Sequence, residues 1–512
     1  MSAVHAAPPP AIVAPVRGRE SARESQVFDQ DVQALTGQAW LRAIRWTPAG
    51  RIYNKPPLVA VLDTGVAPGA AGLAGRVDTQ RAKSYAFGGG DPLVDAQGHG
   101  TMVAGIIATV ASGAEANPGV AILPVQIAGP TGQTSAQAVA EGIYYAISQR
   151  ARIINLSLQG SSRSKVEQDA INAAVRAGIL VVAASGNSGK DTCGVAGITQ
   201  CEYPGAYRHV LAVGATDEAG TALPESTRGM HVAIAAPGRD IVAGSARGPE
   251  GGQRFETRTG TSMAAAVVTG VAARLLAARP SLTADQLTEI MMSTARGTPG
   301  GLDRARGAGL VDLPRALAAK PPWLDTTEPD DDAPGARGLS PLVARGFSYG
   351  QRKGRLRTWA DLRDYSVVYL KKGQQLTAEA TVQPGNDVDL YLWKPGTPLY
   401  RQGAKFAREW LLAGAVNKGP AETLTYRAPE EGEYLLEVRL AGAQRLVRPR
   451  YLVTATVTKP TTSAGAVSAT TPGAGTPASG GAGGRGGDGG TAGAGGTGNA
   501  GSGSGGTNSR TR

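Results

Sequence analysis

Three short strings in this 512-residue chain carry side chains that together can do chemistry: Asp63-Thr64-Gly65, Gly98-His99-Gly100-Thr101 and Gly260-Thr261-Ser262-Met263-Ala264. A serine hydroxyl can attack a carbonyl carbon if an imidazole takes its proton and a carboxylate orients that imidazole and stabilises its charge. The choice of base is narrow, because the chain holds four histidines, His5, His99, His209 and His231. His5 lies in an Ala/Pro-rich leader, and His209 and His231 read as ordinary strand or loop residues among hydrophobics. Each string alone has a plain explanation: a turn after a strand, a helix start, a helix cap. Their occurrence together, in the order Asp, His, Ser, favours chemistry.

The surrounding residues indicate what positions them. The apolar run Leu58-Val59-Ala60-Val61-Leu62 before Asp63 reads as a buried parallel strand with a polar residue at its carboxyl end, which is where open α/β sheets place their chemistry. His99 precedes a small, apolar run over residues 100–108 suited to a tightly packed helix. Ser262 opens an almost unbroken small and apolar stretch to Ala273, which predicts a helix buried on nearly all sides. In its first turn, unpaired backbone N–H groups and the helix dipole favour developing negative charge. Further apolar runs at 120–127, 153–158, 179–184 and 210–215 alternate with helix-like stretches such as 135–149. The fold class expected is therefore α/β, a mostly parallel sheet flanked by helices. Thr283 and Gln286 have capping-box spacing ahead of Leu287 and Ile290.

In this order and with these flanks the strings resemble the subtilisin-like serine peptidases, the subtilase family, over roughly residues 55 to 318. The resemblance implies Ser262 as nucleophile, His99 as general base and then acid, and Asp63 as the carboxylate that orients His99. It implies Asn187, in the turn Ser185-Gly186-Asn187 after the run 179–184, as an oxyanion donor beside the backbone N–H of Ser262. It also implies that Ser157, Leu158 and Gln159 form one wall of a cleft that binds a polypeptide as an added strand, with residues 127–134 opposite. Ala266 stands where the family usually has proline, and Gln159 where it usually has glycine, which adds a side chain close to the bound peptide. Cys201-Glu202-Tyr203-Pro204 aligns with the family's Gly-Tyr-Pro segment and places Glu202 near the base of the primary specificity pocket. A carboxylate there favours lysine or arginine before the scissile bond; a solvated loop glutamate is the competing reading. The chemistry implied needs no cofactor. The family often binds calcium, but no dense acidic loop in this region supports a metal site.

The only two cysteines, Cys193 and Cys201, flank a short loop. A disulfide between them would add about 2–3 kcal/mol in a chain-entropy treatment and points to an oxidising compartment; two free thiols are the alternative. A metal site would need more ligands nearby.

Composition divides the chain into a flexible leader (1–30), the peptidase-like region (31–318), a linker (319–344) with Pro321-Pro322 and an acidic run at 328–332, a β-rich region (345–458) and a Gly/Ala/Ser/Thr-rich tail (459–512) expected to be disordered. Strand-like alternation at 366–370, 376–382, 388–393, 434–440 and 451–457 predicts a small all-β sandwich. It resembles the pre-peptidase C-terminal domain of secreted bacterial peptidases. The chain carries 52 basic and 41 acidic side chains, a net charge of +11, and residues 345–458 hold 18 of the former and 11 of the latter, a net of +7. A basic accessory domain suits an anionic surface or polymer, while no nucleic-acid motif accompanies it and no run is long enough for a membrane span. The expected location is extracellular or cell envelope, although residues 1–30 lack the apolar core of a secretion signal. An active endopeptidase is favoured over a binding protein that keeps the fold, because the triad and Asn187 are intact.

Overall fold

A computed structural model describes residues 38–48, 55–111, 119–192, 201–246, 255–297, 303–322, 341–356, 363–397, 409–441 and 449–459. The apolar run before Asp63 forms β1 (Leu58–Asp63) at the interior of a seven-stranded sheet. Its other strands are β2 (Lys83–Ser84), β3 (Ala121–Gln126), β4 (Ile153–Leu156), β5 (Leu180–Ala184), β6 (Val210–Thr216) and β7 (Val232–Pro237). The order is β2-β3-β1-β4-β5-β6-β7, and every neighbouring pair is parallel. The order reverses at β1, so the carboxyl ends of β1 and β4 diverge into a crevice.

Helices cover both faces, and β1 shows why its sequence is apolar throughout. Val59 and Val61 point into a core shared with α2 (His99–Ala111) and α5 (Thr261–Ala278). Ala60 and Leu62 point into the opposite core with α3 (Ala136–Ser148) and α4 (Lys165–Arg176). A strand buried on both sides has no solvent face to mark with polar residues. A short α1 (Ala39–Ala43), α6 (Ala284–Thr294) and α7 (Leu313–Ala318) join the first core. Helix α6 opens with the expected capping box: Gln286 N–H donates to Thr283 Oγ1 and Thr283 N–H to Gln286 Oε1. Helix α5 is the one described helix with the length and hydropathy of a membrane span, and it lies almost wholly inside the protein. Alanine at 266 continues it without interruption.

A hairpin of β8 (Ile241–Gly244) and β9 (Phe255–Arg258) follows β7. The C-terminal region forms two four-stranded antiparallel sheets. One has the order β10-β17-β12-β15, from β10 (Tyr349–Arg355), β12 (Gln375–Val382), β15 (Ala421–Arg427) and β17 (Arg450–Thr458). The other has β11-β16-β13-β14, from β11 (Arg363–Leu370), β13 (Asp387–Trp393), β14 (Leu411–Ala415) and β16 (Gly432–Ala441). Their inward residues, among them Leu376, Ala378, Leu390, Tyr434 and Val453, make a core of their own. The leader, most of the linker and nearly all of the tail lie outside the described residues.

Candidate active site

Asp63 ends β1 and is buried, with Oδ1 accepting from Thr64 N–H at 2.8 Å and meeting His99 Nδ1 at 2.7 Å. His99 is the first residue of α2. The close approach of that helix to the Asp63 turn explains Gly100: a Cβ there would lie 2.2 Å from Gly65 O and 2.9 Å from Asp63 Cβ. Burial disfavours charge on the imidazole, but the Asp63 carboxylate outweighs it and holds the His99 pKa above the ordinary histidine value. With Nδ1 on Asp63, Nε2 is left for a proton acceptor's role.

Behind this pair lies a residue that sequence reasoning missed. Asp95 is buried and accepts four hydrogen bonds, from Thr64 Oγ1 (2.8 Å), Gly98 N–H (2.8 Å), Thr101 N–H (2.8 Å) and Thr101 Oγ1 (2.7 Å). Gly100 N–H in turn donates to Thr64 Oγ1 at 3.0 Å. A carboxylate in this place satisfies the open N–H groups at the start of α2 and complements its dipole, and through Thr64 it steadies the turn that carries Asp63. The available signal was an acidic residue a few positions ahead of a helix start.

Ser262 is the second residue of α5, after Gly260 at the cap position. Its hydroxyl donates to Ser157 O at 3.1 Å, while Ser157 Oγ donates to Ser262 O at 2.9 Å. Ser157 Oγ also accepts from Asn155 Nδ2 (2.9 Å), and Asn155 Oδ1 accepts from Thr269 Oγ1 (2.9 Å), so polar groups inside the core link the end of β4 to two successive levels of α5. On the other side, Asn187 Oδ1 accepts from Thr261 N–H (2.9 Å) and Thr261 Oγ1 (3.0 Å). A backbone N–H can only donate, so the amide atom it meets is the oxygen, which leaves Nδ2 outside the Thr261 contacts. The structure thus brings Asp63 to His99, Ser262 to Ser157, and Asn187 to the turn that holds Ser262. The hydroxyl of Ser262 is thus bonded to Ser157 O and not to His99 among the described contacts.

Comparison with known proteins agrees. The Subtilase family profile matches residues 54–309. The chain belongs to the subtilase family. A thermostable alkaline protease of Halalkalibacterium halodurans is 36% identical over 269 residues, which cover 52% of this chain and 68% of that protein. Subtilisin Savinase of Lederbergia lenta is 33% identical over 262 residues, covering 50% of this chain and 89% of that one. A cold adapted subtilisin-like serine proteinase of known structure aligns over 54% of this chain and 98% of its own at 28% identity, with a TM-score of 0.44. The chain is a subtilisin-like serine peptidase.

In this subtilase a cleft of about 490 Å³ runs past the pair, lined by Asp63 and His99, by Ser157, Leu158 and Gln159 on one side, and by Ile127 and Gly132 to Thr134 on the other. Gln159 Oε1 accepts from Asn187 N–H at 2.5 Å. Glu202 is half-buried, and its Oε2 accepts from Thr227 Oγ1 at 2.7 Å. It occupies the space over Gly186, whose φ is +114° and whose added Cβ would fall 1.4 Å from Oε2. The positive φ favours glycine there, and a Cβ would displace the Glu202 carboxylate. Cys193 lies outside the described residues. His231 takes no part in the pair: its Nε2 faces Ser185 O at 3.3 Å, and burial holds its pKa below the ordinary value. Among the described residues no three His, Cys, Asp or Glu side chains gather as a metal site.

Proposed function

We propose that this subtilase cleaves proteins as an endopeptidase through an acyl-enzyme, with Ser262 as nucleophile, His99 as base then acid and Asp63 as the residue that orients His99. An extended polypeptide lies along Ser157 to Gln159. Ser262 Oγ turns from Ser157 O toward His99 Nε2, gives up its proton there and attacks the carbonyl carbon. The charge on the carbonyl oxygen meets Ser262 N–H and Asn187 Nδ2, a donor whose loss costs about 10²–10³-fold in turnover where it has been removed in subtilisin itself. His99, charged and held by Asp63, protonates the leaving amine, and water then releases the acyl group. The chain supplies nucleophile, proton carrier and orienting charge, so the reading calls for no cofactor. The observation that carries it is the 2.7 Å contact between His99 Nδ1 and Asp63 Oδ1. A serine-directed phosphonate is expected to label the wild type and not Ser262→Ala; a folded wild type that takes no label overturns it.

The Glu202 carboxylate supports a finer preference, for arginine or lysine before the scissile bond. It is half-buried beside Gly186, and among the described residues only Oε2 is engaged. A guanidinium or ammonium reaching it would form a charge-assisted pair. Glu202→Gln is expected to lower kcat/KM about tenfold or more for an Arg peptide and to leave a Leu peptide near its original value. An Arg peptide unaffected by the change removes the preference. We further read Cys193 and Cys201 as a disulfide, a reading supported by the lack of a free thiol at Cys201. An extracellular or envelope location fits that pairing and fits the cell wall-associated protease of Bacillus subtilis, 33% identical over 260 residues, 49% of this chain and 27% of that one. The C-terminal β domain, with its net positive charge, suits attachment to anionic polymer.

A further inference from the structure

We propose that Arg258 is a positioning residue for the base: its guanidinium ties the strand that leads into Ser262 to the turn that leads into His99, and so holds the two reacting side chains in register. This rests on reading Ser262 and His99 as nucleophile and base. The two stand on different helices, and the Ser262 hydroxyl meets Ser157 O, so no contact of their own fixes their separation. Arg258 ends β9, and α5 begins close behind it at Thr261. From there its Nη2 donates to Gln97 O at 2.9 Å and its Nη1 to Gln97 Oε1 at 3.4 Å. Gln97 Oε1 also accepts from His99 N–H at 2.8 Å. One side-chain oxygen thus joins the guanidinium of β9 to the main chain of the base.

The surroundings fix the guanidinium in place. Glu256, on the same strand, holds a carboxylate oxygen 3.5 Å from Arg258 Nη2. Gly98 lies against both: a Cβ there would fall 3.2 Å from Arg258 Nη2 and 3.3 Å from Glu256 Oε1. A planar fork can meet the carbonyl and the amide oxygen of Gln97 together, which a point-like ammonium does not do from the same place. The charge matters as well as the fork. The imidazole is faced by Asp63 from β1, by Asp95 from the loop ahead of α2 and by Arg258 from β9, with Glu256 beside Arg258. Burial and the guanidinium disfavour charge on the ring, and the two aspartates favour it. Arg258 therefore keeps the base neutral to lower pH than the carboxylates alone would allow.

The test is kcat and kcat/KM against pH for a peptide anilide that the wild type cleaves, on the full chain and its Arg258→Lys and Arg258→Gln variants, with phosphonate titration counting competent sites. Lysine keeps the charge and loses the fork. Its kcat is expected to fall by about tenfold, within the roughly 10²-fold that a 1 Å misplacement costs, while the acid-limb midpoint of kcat/KM stays in place. Glutamine loses both, so kcat is expected to fall at least as far and the midpoint to move to higher pH. A role in folding alone would lower the number of titrated sites and leave kcat per site and the midpoint as they are. Wild-type kcat per titrated site in either variant overturns the tie, and so does a midpoint that stays or falls in Arg258→Gln. A wild type that takes no phosphonate defeats the nucleophile reading before any variant is compared, so the two failures are distinct.

Discussion

In the proposed mechanism, Asp63 and His99 set the pH response of the enzyme. The imidazole must be neutral to accept the Ser262 proton, so kcat/KM rises as His99 loses its proton. Burial alone would push that pKa down and the Asp63 carboxylate overrides it. The acid limb of the pH–kcat/KM profile is therefore expected to have its midpoint above 6.5, the ordinary histidine value. Asp63→Asn takes away the overriding charge, so the midpoint is expected to fall while turnover drops by about 10⁴-fold, as for the matching change in a serine-protease triad. A midpoint that stays in place would show that Asp63 is not the group that raises it. Residue types made the pair readable in the chain, since few histidines compete with His99. Nothing in the local residues revealed that Thr64 and Asp95 brace it.

At the scale of elements, Ser262 is placed by the grip of β4 on α5. Thr269 sits two turns along α5 from Ser262, yet it holds Asn155, which holds Ser157, which holds the main chain of Ser262. Thr269→Val keeps the volume and leaves Asn155 Oδ1 in the core without its donor, a loss of about 1–3 kcal/mol. Denaturant unfolding is expected to show that loss, and kcat to fall with it; full stability in the variant would mean the link bears no strain. The strands and helices that such links join were largely legible. Residues 135–149 contain α3, with Ser135 as its cap accepting from Ala138 N–H at 3.1 Å, and the five strands expected in the β domain are all present, lengthened at their ends. Strands β10, β14 and β15 were not anticipated, and each lies at a sheet edge. Edge strands bury less and carry polar residues that blunt further pairing, which weakens the pattern that reveals interior strands.

For the whole molecule, the buried carboxyl of Glu167 couples stability to pH. It lies in the first turn of α4, where Tyr207 Oη approaches its Oε2 at 3.1 Å. Burial raises its pKa from 4.5 to about 7, against the smaller opposing effect of the tyrosine hydrogen bond. A raised acid pKa means that the folded state binds the proton more tightly than the unfolded one. Its contribution is complete below pH 4.5 and is lost as pH rises to about 7, by up to about 3 kcal/mol. Wild type minus Glu167→Gln unfolding free energy, followed by chemical denaturation across that window, is expected to decline with rising pH; a flat difference would contradict it. His99 acts in the same sense at higher pH and His231 in the opposite sense, so the difference against the variant isolates Glu167.

Residue identity and short-range pattern by themselves pointed to a candidate reactive trio and determined the parallel α/β class and the second, β-rich region. Those features depend on which side chains can transfer a proton and on hydrophobic periods that each segment shows alone. Only the tertiary structure decided which way the Asn187 amide faces, that Asp95 and Thr64 stand behind His99, and that Gln159 Oε1 meets Asn187 N–H. These are contacts between side chains and distant segments, from 28 residues apart for Gln159 and Asn187 to 114 for Asn155 and Thr269. The partner of each polar group is set by the order and divergence of the strands that carry it, and no local pattern encodes that order.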